Sequence, residues 1–195
     1  MKRVLYTVII LIIILSFSGC GYNKIVTLEE DVNAAFGDLQ ASYQRRLDLI
    51  PNLVEVVKGY ASHEKETLTA VVEARAKATS IQLSPEMLNN PNSFKQFQDA
   101  QNGLGGVLSK LMVVVEKYPD LKANENFRDL QHQLEGTENR INVARVRYNK
   151  AVTDFNKIIK YFPTNITNNM FFKHEPKQVF QASEEAQNAP TVKFE

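Results

Sequence analysis

Apolar positions recur along most of this chain in alternating steps of three and four residues, the period of a helix with one buried face. In the first stretch they fall at Leu28, Val32, Ala35, Leu39, Tyr43 and Ile50, with the charged Arg46 inside the stripe. Beyond Pro51 the stripe resumes at Leu53, Val57, Tyr60, Leu68 and Val71. Thr27-Leu28-Glu29-Glu30 has the spacing of a capping box, which places a helix start at Thr27. Pro51 leaves two readings open. Proline costs about 3 kcal/mol inside a helix and disfavours helix at the preceding residue, so a turn can separate two helices there. The unbroken phase from Ile50 to Leu53 to Val57 instead fits one kinked helix.

Residues 79–93 carry Pro85, Asn89, Asn90, Pro91 and Asn92 and read as a loop, with Asn92 or Ser93 capping the next helix. Phe94, Phe97, Gln101, Leu104, Leu108, Leu111, Val115 and Tyr118 then form a heptad seam with Gln101 as its polar member. Gly103, Gly105 and Gly106 lie in its middle, which suggests close approach of a neighbouring helix or a local break. A last seam runs from Phe127 through Leu134, Thr137, Ile141, Tyr148 and Phe155 to Phe162, and Pro163 stops it. Helices joined by the short connection at Pro119 to Lys122 should lie antiparallel. The fold class is therefore all-α: an antiparallel up-and-down bundle of long helices, four in number, or three if the helix continues through Pro51. From residue 163 to 195 the periodicity fades, but Phe171, Phe172, Val179, Phe180, Val192 and Phe194 remain. This tail is expected to be irregular, in extended pieces packed on the bundle.

The N-terminus has a different pattern. Lys2 and Arg3 precede an apolar run from Val4 to Leu15, followed by Ser16-Phe17-Ser18-Gly19-Cys20. Charge, apolar core and small residues in that order describe a secretory signal over residues 1–19. The 14 residues from Val4 to Phe17 fall short of the roughly 20 that span a bilayer, although an uncleaved membrane helix remains the alternative. Phe17-Ser18-Gly19-Cys20 is similar to a bacterial lipobox, with Phe17 in place of the usual leucine. Acylation of Cys20 would hold the chain durably, because each buried CH₂ contributes about 0.8 kcal/mol. This divides the chain into the signal, a lipidated N-terminus and short linker (20–26), a bundle (27–162) and the tail (163–195). The lipid membrane is then the partner of the N-terminus, and the remainder faces the periplasm or cell surface.

Composition adds mainly exclusions. Lysine and arginine number 23 against 22 acids, so no global positive field exists to attract nucleic acid. Without Lys2 and Arg3 the balance is 21 to 22. Cys20 is the single cysteine, so no intramolecular disulfide or cysteine-rich zinc site can form. His63, His132 and His174 lack a second histidine at helical ligand spacing; His63-Glu64 starts like a zinc-protease motif, but Thr67 takes the second histidine's place. No phosphate-binding loop or nucleophile elbow occurs. No catalytic residue, metal ligand or cofactor is assigned.

Charges do fall near the seams, at Arg45, Arg46, Asp48, Glu55, Glu73, Arg75, Glu116, Glu138 and Arg145. One reading makes them interhelical pairs that fix register. The other is an interior polar cluster of Arg45, Arg46, Asp48, Glu73, Glu116, Arg145 and Asn149 serving a small ligand or a reaction. An exposed seam or a groove between helices would instead bind a protein partner of the envelope.

Several runs resemble the LemA family: Tyr22-Asn23-Lys24-Ile25-Val26, Asn33-Ala34-Ala35-Phe36, Gln44-Arg45-Arg46-Leu47-Asp48-Leu49-Ile50-Pro51-Asn52-Leu53-Val54-Glu55, and Val57 to Glu64. Glu116 to Asn124, Thr137 to Ile141, Ala144 to Asn149 and Phe162-Pro163 continue the series in order. Phe36 stands where members often carry tryptophan. The resemblance implies a helical bundle held at the membrane by its N-terminus. It implies no catalytic residues, since the family has no settled activity. The resulting expectation is a non-enzymatic, membrane-tethered interaction or scaffold protein, with a ligand-binding or enzymatic bundle as the alternative.

Overall fold

A computed structural model describes the backbone of residues 2–81 and 84–181, and the side chains of residues 21–81 and 84–181. The elements are α1 (Lys2–Tyr60), α2 (Lys65–Ser80), a 3₁₀ turn (Pro85–Asn89), α3 (Pro91–Val115), the short α4 (Pro119–Ala123), α5 (Glu125–Ile158), the short α6 (Thr164–Thr167) and a π turn (Asn168–Phe172). Residues 174–181 belong to no regular element. The architecture is all-α among the described residues, with α1, α2, α3 and α5 as the long members. Tyr60 meets Asn124, Arg46 meets Glu138 and Phe36 meets Tyr148. The residue numbers of each pair share one total, as antiparallel α1 and α5 require. Tyr43 touches Phe97 and Arg46 touches Gln101, so α3 runs parallel to α1. Between them α2 returns from the far end, where Glu64 accepts a hydrogen bond from the Tyr118 hydroxyl at 2.8 Å.

Helix α1 passes through Pro51 without interruption. Proline has no N–H for the carbonyl of Leu47, one turn earlier. Arg75 on α2 supplies the missing donor: its Nε hydrogen-bonds to the Leu47 carbonyl at 2.9 Å. The break comes later, at residues 61–64. A straight helix would carry Glu64 into the apolar stripe one turn after Tyr60; the chain turns back instead and keeps Glu64 at the bundle end. The bundle thus has four long helices even though Pro51 does not divide it.

Other boundaries also differ from the sequence pattern. Thr27 starts no helix; it lies within α1, and its hydroxyl donates to the Asn23 carbonyl at 2.9 Å. Residues 21–26 are not a linker either. Gly21 and Ile25 are buried, and a Cβ at position 21 would stand 3.0 Å from Thr167 Oγ1. Asn90, not Asn92 or Ser93, caps α3, its side-chain oxygen accepting from both of those amides. The stretch between α2 and α3 includes a 3₁₀ turn that buries Met87 and Leu88. Asn124 separates α4 from α5 and caps the latter through the Phe127 amide. Helix α5 ends at Ile158, which leaves Phe162 77% exposed instead of closing the seam. Thr164–Phe172 is helical where an extended tail is expected.

Gly103, Gly105 and Gly106 neither break α3 nor admit a close neighbour. The helix runs through them, and a Cβ at any of the three meets nothing within 4 Å.

The core has two parts. Near the N-terminal end, Ile25, Phe36, Tyr43, Phe94, Phe97, Tyr148, Phe155 and Phe180 pack together. At the far end Ile50, Leu53, Val57, Leu68, Val71, Leu104, Leu111, Leu121 and Phe127 form a second cluster. Helix α2 covers only the far half. On the near half its place is taken by the 3₁₀ turn and by residues 174–181, a strap tied to α5.

Candidate functional site: a polar waist and a strapped flank

The two cores are separated by a polar layer. Arg46 interrupts the stripe of α1 and Gln101 interrupts that of α3, and the fold sets them against each other. Arg46 is 3% exposed. Its Nη1 donates to Glu138 Oε2 at 3.0 Å, and its Nη2 donates to the Gln101 backbone carbonyl at 3.3 Å and to the Gln101 side-chain oxygen. The guanidinium also lies over the Tyr43 ring, 5.3 Å from its centre. Burial raises the phenol of Tyr43 above its ordinary value, opposed by Arg145 and Arg46. Thr137, next to Glu138, is buried and donates to the Gln133 carbonyl on its own helix. Three helices therefore each contribute a polar group at one level. Such a layer penalises any sliding of the seams, because a slip would bury Arg46 without its partners.

Arg46 Nε is buried with no hydrogen-bond partner. Other atoms of Arg46 line an open groove of about 290 Å³, together with Gln101, Asn102, Gly105, Gly106, Glu138 and Arg145 among others. The glycines leave this groove unfilled. Chemically, it offers two guanidinium groups and one carboxylate that is already paired.

The seven residues expected as an interior cluster do not assemble into one. Arg46 is buried, and Arg145 joins it at the groove. Arg45, Asp48, Glu73 and Glu116 are on the surface because they sit beside the seams, not in them. Asp48 accepts from Gln44 Nε2 at 2.7 Å, and Glu116 pairs with Lys122. Among the described residues no group of three or more His, Cys, Asp or Glu is placed to hold a metal. The proposed lipidation residue, Cys20, lies outside the described side chains. Among the described residues no helix is long and apolar enough to cross a membrane, and the apolar run of residues 4–15 falls outside that statement.

Asn149 belongs to another arrangement. Its side-chain amide donates to the Phe180 carbonyl and accepts from the Phe180 amide, both at 2.9 Å. Asn156 makes the same pair with Lys177, and Asn168 makes it with His174. Each asparagine thus imitates the backbone of a neighbouring strand. Seven helical residues rise about 10.5 Å, close to the roughly 10 Å of three extended residues, so the spacing of 149 and 156 matches that of 180 and 177. Lys177, buried, pairs with Glu29 at 3.3 Å and lies over Phe155; His174 Nε2 stands 3.1 Å from the same carboxylate. Tyr148 donates to the Gln178 carbonyl, and burial raises its phenol well above the ordinary value. Two asparagines one heptad apart beside an apolar seam are a visible signal, but their partners are backbone groups about 20 to 30 residues away.

Comparison with known proteins decides the family. The model of the LemA family matches residues 35–194. The chain belongs to the LemA family. Among curated relatives, the magnetosome proteins MamQ 1 and MamQ 2 of Paramagnetospirillum magneticum are each 30% identical over 161 residues, covering 74% of this chain and 59% of theirs. Protein LemA of Metamycoplasma hominis is 26% identical over 162 residues, covering 83% of this chain and 69% of its own length. The chain thus spans less than two thirds of the MamQ relatives. LemA membership accounts for the fold and assigns no chemistry to the waist.

Proposed function

We propose that this LemA-family chain is a non-enzymatic scaffold of the cell envelope, tethered to the membrane by its N-terminus and presenting a rigid helical rod to a protein partner. The observation that carries the reading is the continuity of α1. From residue 20, where either form of anchor ends, one helix runs without a break into the core of the bundle, to Tyr60. Acylation of Cys20 after removal of residues 1–19 makes the anchor, and an uncleaved span is the other form of the same tether. Either places the bundle on the periplasmic or outer face. No nucleic acid is involved. The polar residues within the bundle support a structural role, because Arg46 is spent on Gln101 and Glu138, and Asn149 on the strap.

Native membranes test the tether. The full chain should float with them, and mass spectrometry should find an acylated N-terminus at Cys20. An intact, unmodified Met1 on a floating chain favours the uncleaved span, and a chain that stays with the soluble fraction removes the tether altogether. Crosslinking in cells should return the same protein repeatedly; its consistent absence counts against the scaffold. A second reading, small-ligand binding at the waist, has in its favour an open groove lined by Arg46 and Arg145, with Arg46 Nε left unpartnered.

A further inference from the structure

Five of the exposed large apolar side chains fall within one short stretch after α5. Tyr161, Phe162, Ile166, Met170 and Phe171 are all about half exposed or more, with Phe162 at 77% and Met170 at 68%. They belong to the connection after α5, to α6 and to the π turn. All of these lie at the N-terminal end of the bundle. Gly21 packs against Thr164 and Thr167, and the Tyr22 ring stands 4.7 Å from that of Phe172 and 6.2 Å from that of Phe171. Exposed lysines flank the patch in sequence: Lys160 before it and Lys173 after it, with Lys24 one turn along α1.

We infer that this collar of aromatic and aliphatic side chains beds into the lipid interface and fixes the bundle upright on the membrane. The inference rests on the tether reading, and it holds for either form of the anchor. No slack exists between anchor and domain: residue 21 is already packed on α6, so anything that fixes residue 20 at a bilayer brings the collar to its surface. A partly exposed ring with a polar rim is suited to the headgroup boundary, where an apolar face sinks about 5–10 Å and basic residues meet anionic lipid. The described end of the chain does not cover the patch. The strap leads away from it, and Gln181 is held at the level of Gln98 and Arg145, towards the waist.

The chain contains no tryptophan, so a single substitution reports on one position. Phe162→Trp, Met170→Trp and, as a control, Val113→Trp are made in the full chain. Val113 is 68% exposed near the C-terminal end of α3, at the far end of the bundle. Each is reconstituted in vesicles of phosphatidylethanolamine and phosphatidylglycerol, with or without bromine near the carbonyl end of the acyl chains. Helical content and vesicle flotation are checked for all three. The expected result is emission at 162 and 170 shifted to the blue and quenched by roughly half, with 113 unaffected. Flotation with no quenching at 162 and 170 overturns the collar and leaves the tether standing. A blue shift without quenching means that protein covers the patch, and overturns it equally. Quenching at 113 to the same extent overturns the upright pose. A chain that does not float overturns the tether and the collar together.

Discussion

The near half of the bundle buries Phe36, Tyr43, Phe94, Phe97, Tyr148, Phe155 and Phe180, whereas Phe127 is the one buried aromatic of the far cluster. The contrast follows from what closes each half. At the far end four helices surround the core, and leucines and valines at heptad spacing fill it. At the near end α2 is absent. A strap of irregular chain is narrower than a helix and offers fewer inward side chains, so large rings must occupy the space. The far core is thus built by periodicity, and the near core by a few large residues with specific polar ties. The waist at Arg46 is where one method gives way to the other.

The largest test of this comparison is Phe180. It contacts the rings of Phe94, Phe97 and Tyr148, and it is the strap's plug in the core. Phe180→Ala should cost about 3–5 kcal/mol, the usual range for a buried phenylalanine. The loss should be local. Hydrogen exchange should accelerate across the strap and at the near end of α5, while amides around Leu53 and Leu111 keep their protection. Equal loss in both halves would show a single cooperative unit and end the distinction.

Next comes the waist. Arg46→Met keeps much of the volume but removes the donors to Gln101, a buried group, and should destabilise by about 2–3 kcal/mol. Glu138 is half exposed, so its charge returns to water at little cost. Adding Gln101→Leu removes the orphaned amide too, and the double variant should recover part of the loss in urea melts. If the double is worse than the single, the layer is contributing packing and not polar pairing.

A smaller effect isolates the far half. Arg75→Ala leaves the Leu47 carbonyl without its donor and should cost about 1–2 kcal/mol. With Pro51→Ala in place, residue 51 regains an amide for that carbonyl. The same Arg75→Ala change should then cost close to nothing. Additive costs in the four-member cycle would mean that Arg75 acts through something other than the proline gap.

These devices explain what could and could not be read from the sequence. Helices α3 and α5 were legible because each side chain's fate depends on its own periodicity. Arg46 and Gln101 were legible as interruptions, but not as partners, since nothing local connects α1 to α3. Thr27 misled because a capping box requires the chain to enter the helix there, and residues before it are helical already. The break after Tyr60 carries no proline to announce it; its one trace in the sequence is the gap in the stripe at Glu64. Arg45, Asp48, Glu73 and Glu116 adjoin the seams in sequence yet are solvated, because a single step around a helix separates buried from exposed. The strap was least legible. Its asparagines satisfy remote backbone groups, and irregular chain has no heptad to announce them.

The smallest expected effect bears on the waist groove and runs in the opposite direction. Gly105 and Gly106 sit in an uninterrupted helix, and a Cβ at either meets open space. Each Gly→Ala change should therefore stabilise the chain by roughly 0.5–1 kcal/mol, through the lost conformational freedom of the unfolded glycine. Both substitutions also narrow the groove beside Arg46. If the stabilised double variant still supports growth and still captures the same partner as the parent chain, the groove is a by-product of packing and the waist is a register layer only. If stability rises while capture or growth falls, the glycines are kept for the space they leave, and the polar waist joins the surfaces this LemA-family bundle uses.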